Sequence, residues 1–133
     1  MSSVPFEQTR LYSLIRSATE KAYKQALSVI DSMQQAELQL QSEISGNTYM
    51  HELINMLDSL SRNTVKVRLG TETGSFSSIR SAIPVLYRLA IREVDINAQN
   101  RDGNTALHLA AFRPLGELVL QHLIRIGLSP LFF

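Results

Sequence analysis

The sequence predicts an all-α protein: an N-terminal helical hairpin or one long helix, followed by a partial stack of short helix pairs. Three observations carry that expectation. No Pro or Gly interrupts the chain between Pro5 and Ser45. An apolar stripe runs through the same stretch with a helical period. Beyond Ser78 the residues fall into a loop, helix, turn, helix pattern with recognisable turn and cap positions.

The first helical segment is rich in Ala, Leu, Gln, Glu and Lys, all good helix formers. Its apolar residues recur at Leu11, Ile15, Ala18, Ala22, Ala26, Val29, Met33, Ala36, Leu40 and Ile44, in steps of three and four. Such steps place one stripe on one face of a helix. Ser45-Gly46 supplies a stop, because glycine enters the left-handed region without a Cβ clash. A single helix of that length is unusual in a globular protein, so either a partner covers it or it breaks near Asp31-Ser32. A second helix follows, capped by Asn47 or Thr48, with Met50, Leu53, Ile54, Leu57 and Leu60 on its apolar face. The two stripes either pack as an antiparallel hairpin around Gly46 or offer residues 11–60 for self-association.

Residues 63–77 read differently, as a linker or short hairpin. Val65, Val67 and Leu69 alternate with Lys66 and Arg68, a strand pattern, and Gly70-Thr71-Glu72-Thr73-Gly74-Ser75 is turn-like. The two glycines do not make a phosphate-binding loop, since Gly74 is followed by Ser75-Phe76 where a Lys-Ser/Thr pair would be needed. The expected division is therefore a helical segment over 1–62, the connection over 63–77, and a helix-pair region over 78–133.

The last region carries a specific pattern. Residues Val94-Asp95-Ile96-Asn97-Ala98-Gln99-Asn100-Arg101-Asp102-Gly103-Asn104-Thr105-Ala106-Leu107-His108-Leu109-Ala110-Ala111 resemble the core of an ankyrin repeat. Leu123-Ile124-Arg125-Ile126-Gly127-Leu128-Ser129-Pro130 resembles the end of its second helix and the lead into another repeat. The resemblance covers about one and a half repeats and leaves residues 1–77 unassigned. Read physically, Asp102-Gly103 is a turn pair, with a positive φ expected at Gly103. Thr105 is an N-cap, and Leu107 is expected in the core with Leu118, Val119, Leu123 and Ile124. Departures are an Ala at 106 where Pro is commoner, a longer inter-helix turn at Phe112-Arg113-Pro114-Leu115-Gly116, and Glu93-Val94 in place of Gly-Ala. The ending Ser129-Pro130-Leu131-Phe132-Phe133 stops inside a repeat, which suggests truncation.

The resemblance implies a protein–protein interaction module, an adaptor or scaffold whose partner is another protein. Its binding face would be lined by hairpin-tip residues and the edge of the first helix: Gln99, Arg101, Asp102, Asn104, Phe112 and Arg113. It also gives His108 a structural role, bonding backbone between adjacent loops. The alternatives are a helical or coiled-coil oligomerisation protein with an accessory ankyrin part, or a fragment of a larger ankyrin-containing enzyme or regulator.

Other classes find little support. Thirteen basic against twelve acidic residues leave a net charge of +1, no footprint for nucleic acid or an anionic membrane. Residues 1–62 hold five basic and seven acidic side chains and residues 63–133 hold eight and five, too even a split to name a partner. Cysteine is absent, which removes disulfides and thiolate chemistry. No nucleophile elbow and no His-Glu-x-x-His helix occurs, and His51 and His122 have no acidic or histidine neighbour at i+4. No catalytic, metal or cofactor site is expected. With neither a signal peptide nor a long apolar run, an intracellular setting, cytoplasmic or nuclear, is the default.

Overall fold

Threonines at 9, 19, 48 and 105 set where four helices begin in the computed structural model of the chain, which describes residues 5–68, 75–92, 94–95, 97–111 and 125. After a single 3-10 turn at Phe6–Gln8, the helices are α1 (Arg10–Ser17), α2 (Glu20–Ser32), the one-turn α3 (Gln35–Leu38), α4 (Tyr49–Arg68), α5 (Ser75–Ile91) and α6 (Ala106–Ala111). The chain is all-α, and no strand occurs among the described residues. Thr9 and Thr19 each accept an amide hydrogen of the first turn through Oγ1, from Tyr12 at 3.3 Å and Ala22 at 3.1 Å. Thr48 and Thr105 do the same for the amides of His51 and His108. Each bond satisfies a donor that the helix itself leaves open.

The expected long N-terminal helix is broken three times. Ala18 adopts φ 55°, ψ 34° and ends α1, with its amide on the Ile15 carbonyl. A left-handed alanine costs about 1–2 kcal/mol. The buried Tyr23 hydroxyl offsets part of that cost by donating to the same carbonyl at 3.1 Å. The second break, after Ser32, lies where it was expected. There the Arg92 guanidinium donates to the carbonyls of Ile30 (2.6 Å), Asp31 (3.2 Å) and Met33 (2.7 Å), which closes the C-terminus of α2. The third follows Leu38. The antiparallel hairpin is thus α1 with α2 around Ala18, not two long helices around Gly46.

The strand expected at Val65–Val67 is instead the last part of α4. No Pro or Gly stands between Tyr49 and Arg68, so nothing stops the helix. Continuing it pairs each new backbone group, whereas a lone strand would leave them open. Leu69 and the glycine-containing stretch to Gly74 lie outside the described residues, as do the side chain of Leu107 and residues Leu118, Val119, Leu123 and Ile124.

Two rows of helices result. In one, α1 packs on α4 and α4 on α6; in the other, α2 packs along α5. The pairs α1–α2 and α4–α5 close each unit. Between the rows lies the core, which includes the expected α4 face of Met50, Leu53, Ile54, Leu57 and Leu60. Leu11, Ile15, Ala22 and Ala26 of the N-terminal stripe are buried within the chain as well, while its last member, Ile44, is 78% exposed. Phe6 seals the end against Tyr12 and Tyr49, at ring-centre distances of 5.4 and 4.6 Å.

Within the second row, Arg92 joins the end of α5 to the end of α2 through one side chain. Arg92→Ala is expected to destabilise the chain by about 1–2 kcal/mol, with Arg92→Lys recovering little, since one ammonium cannot reproduce a planar fork on three carbonyls. Equal urea midpoints for the wild type and Arg92→Lys would contradict this.

Candidate interaction groove

A six-residue unit occurs twice: Gly46-Asn47-Thr48-Tyr49-Met50-His51 and Gly103-Asn104-Thr105-Ala106-Leu107-His108. Both copies build the same local structure. The glycines have φ of +74° and +80°. In each, the histidine Nδ1 lies 3.1 Å from the threonine amide and 2.9 Å from its hydroxyl. An amide can only donate, so Nδ1 accepts and the proton of a neutral ring sits on Nε2. For His51 that Nε2–H donates to the Asn104 carbonyl at 2.8 Å. The first unit's histidine therefore latches the second unit's loop. Burial holds the His51 pKa below the usual histidine value, opposed by the Asn104 bond and the nearby Glu52 carboxylate.

The loops ahead of the two units share a plan. Ser42 Oγ accepts from the amides of Ile44 and Ser45, and Asn100 Oδ1 from those of Asp102 and Asn104, all at 3.0–3.1 Å. The loops lie against one another, with the Arg101 amide donating to the Ser45 carbonyl at 2.9 Å. Gln41 Nε2 bridges the carbonyls of Gly46 and Gln99. Beneath them runs a polar chain: Asn100 Nδ2 donates to Asn47 Oδ1 (3.0 Å), Asn47 Nδ2 to Glu52 Oε2 (2.7 Å), and Arg16 reaches Glu52 Oε1 at 3.5 Å. The buried Glu52 carboxylate thereby ties the second loop, α4 and α1 together.

Where the two loops meet the row of α4 and α6, they border a groove of about 410 Å³ lined by Ile44, Asn55, Arg101, Asp102 and Leu109 among others. Of the residues expected on a binding face, Arg101 and Asp102 are exposed and border it. Gln99 is exposed on the same loop. Asn104 is only half-buried, not a free tip, because its amide and carbonyl serve the loop and the His51 latch. Phe112 and Arg113 lie outside the described residues. Ile44, Asn55 and Leu109 were not anticipated. The signal that leads to them is the repeated Gly-Asn-Thr-x-x-His unit, which aligns the loop before Thr48 with the loop before Thr105. His51 is passed over when histidines are judged as metal ligands, a criterion irrelevant to a backbone latch.

The arrangement suits recognition by hydrogen bonding and apolar contact. Among the described residues no group of three His, Cys, Asp or Glu side chains is placed to hold a metal ion, and no helix is long and apolar enough to cross a membrane. The described residues form an all-α arrangement of packed helix pairs in which His51 latches one loop to the next. No family model, curated protein or solved structure matches the chain.

Proposed function

We propose that the chain is a protein–protein interaction module of ankyrin-like construction, without catalytic activity of its own, and that it binds another protein through the groove between its loops and the α4–α6 row. The observation that carries this reading is the duplicated Gly-Asn-Thr-x-x-His unit with its loop-to-loop latch from His51 to Asn104. Stacked helix pairs behind aligned loops are the frame on which repeat proteins present variable side chains. The units are irregular: 57 positions separate Thr48 from Thr105, against about 33 in an ordinary ankyrin repeat. Arg101, Asp102 and Ile44 are the side chains best placed to meet a partner, being exposed and clustered at the groove.

The test is capture of partners from a cell lysate by the full chain and by an Ile44→Ser, Asp102→Lys variant. The variant is expected to lose the captured set while its circular dichroism and thermal midpoint stay near wild type, as both side chains are exposed. An unchanged captured set would place binding elsewhere on the chain.

A further inference from the structure

Ile44 stands between two hollows. On one side is the groove just described. On the other, a depression of about 250 Å³ is floored by Pro5, Phe6 and Leu40 and bordered by Glu7, Gln41 and Glu43. Ile44 borders both. It is 78% exposed, and its backbone amide donates to Ser42 Oγ at 3.1 Å. An apolar anchor ringed by polar groups is the usual form of an interface centre.

The charges around that anchor are unequal. Glu7 and Glu43 border the smaller hollow and Asp102 the larger. Glu7 is half-buried and already accepts from the Ser42 hydroxyl, which leaves Glu43 and Asp102 as the exposed carboxylates; against them stands the Arg101 guanidinium, which donates to the Glu43 carbonyl and so is partly committed. By contrast, on the exposed face of α2 Lys24 is already paired with Glu20, at 3.0 Å. The chain as a whole is slightly basic, at +1, so the acidic bias here is local and not a property of the composition.

The geometry points to a basic, amphipathic peptide segment as the partner of this surface, with one apolar side chain seated against Ile44 and cations facing Glu43 and Asp102. This rests on the interaction-module reading and adds the partner's chemistry to it. Complementary charge would steer and orient the segment, while the contact with Ile44 would supply the salt-insensitive part of the affinity.

Fluorescence anisotropy with two labelled synthetic peptides tests it, one of alternating leucine and arginine and one of alternating leucine and glutamate. The wild type is expected to bind the basic peptide and not the acidic one, with affinity falling as salt rises. Ile44→Ser should weaken binding about tenfold with an unchanged thermal midpoint. Glu43→Lys with Asp102→Lys should abolish binding of the basic peptide and allow binding of the acidic one, while Lys21→Ala on α2 should behave as wild type. Binding of neither peptide, a preference for the acidic one, or equal affinity in the Ile44→Ser and charge-reversal variants would each overturn the assignment. If lysate capture still depends on Ile44 and Asp102 in that event, the module reading stands and only the partner chemistry is lost.

Discussion

Replacing Gly46 by alanine is expected to destabilise the chain by about 3 kcal/mol, while the same change at Gly103 costs about 1 kcal/mol. Both glycines have left-handed φ, +74° and +80°, and that conformation alone accounts for the smaller figure. The difference is what surrounds them. A Cβ on Gly103 meets nothing within 4 Å. A Cβ on Gly46 would lie 2.7 Å from the Arg101 amide nitrogen and 3.1 Å from Asn100 backbone atoms, which must then move. Those atoms belong to the loop that His51 latches, and the Arg101 amide also donates to Ser45. The strain therefore falls on the loop junction, and groove binding should weaken along with stability in Gly46→Ala. Urea unfolding of the two variants beside wild type decides the matter: equal losses would mean that the loops do not approach as described.

That contrast also shows why some features were legible in the sequence and others were not. Gly103 could be placed because a turn and a cap are local, encoded by Asp102-Gly103 and Thr105 themselves. The α4 core face was equally readable, since burial of Met50, Leu53, Ile54 and Leu57 follows from their spacing alone. Gly46 was read as a helix stop from the same local logic, yet its use is to let a distant loop approach, which no window around it reveals. The N-terminal stripe misled for a related reason. Alanine is compatible with a helix interior and, at a cost, with the left-handed end at Ala18, so period alone could not show the break. Thr9 and Thr19 did mark helix starts, and weighing caps before periodicity would have divided the segment. The Val65–Val67 alternation suggests a strand, but a strand needs a pairing partner, and the backbone there is satisfied by continuing α4 instead. At the groove, Arg101 and Asp102 followed from the turn, whereas Ile44 looked like the tail of a buried stripe.

His51→Ala is expected to be at least as damaging, costing about 3–5 kcal/mol. The ring fills a fully buried position, and both of its nitrogens are engaged. Removing it leaves the Thr48 amide without its acceptor and the Asn104 carbonyl without its donor. Each such orphaned group costs about 1–3 kcal/mol when kept from water. A void is added to that. The same geometry sets a pH dependence. A second proton would have to enter at Nδ1, against the Thr48 amide, and burial lowers the folded pKa below the ordinary 6.5. The unfolded chain thus binds this proton more readily than the folded one, so the stability that neutral His51 supports is complete above pH 6.5 and declines as pH falls through that value toward the lower folded pKa. Below the folded value this group causes no further loss. Urea midpoints of wild type measured at about pH 7.5 and about pH 5.5 should therefore differ, with the acid value lower, and the difference should shrink in His51→Ala. A wild-type midpoint that rises on acidification, or a variant with the same pH slope, would show that His51 is not held neutral by the loop it latches.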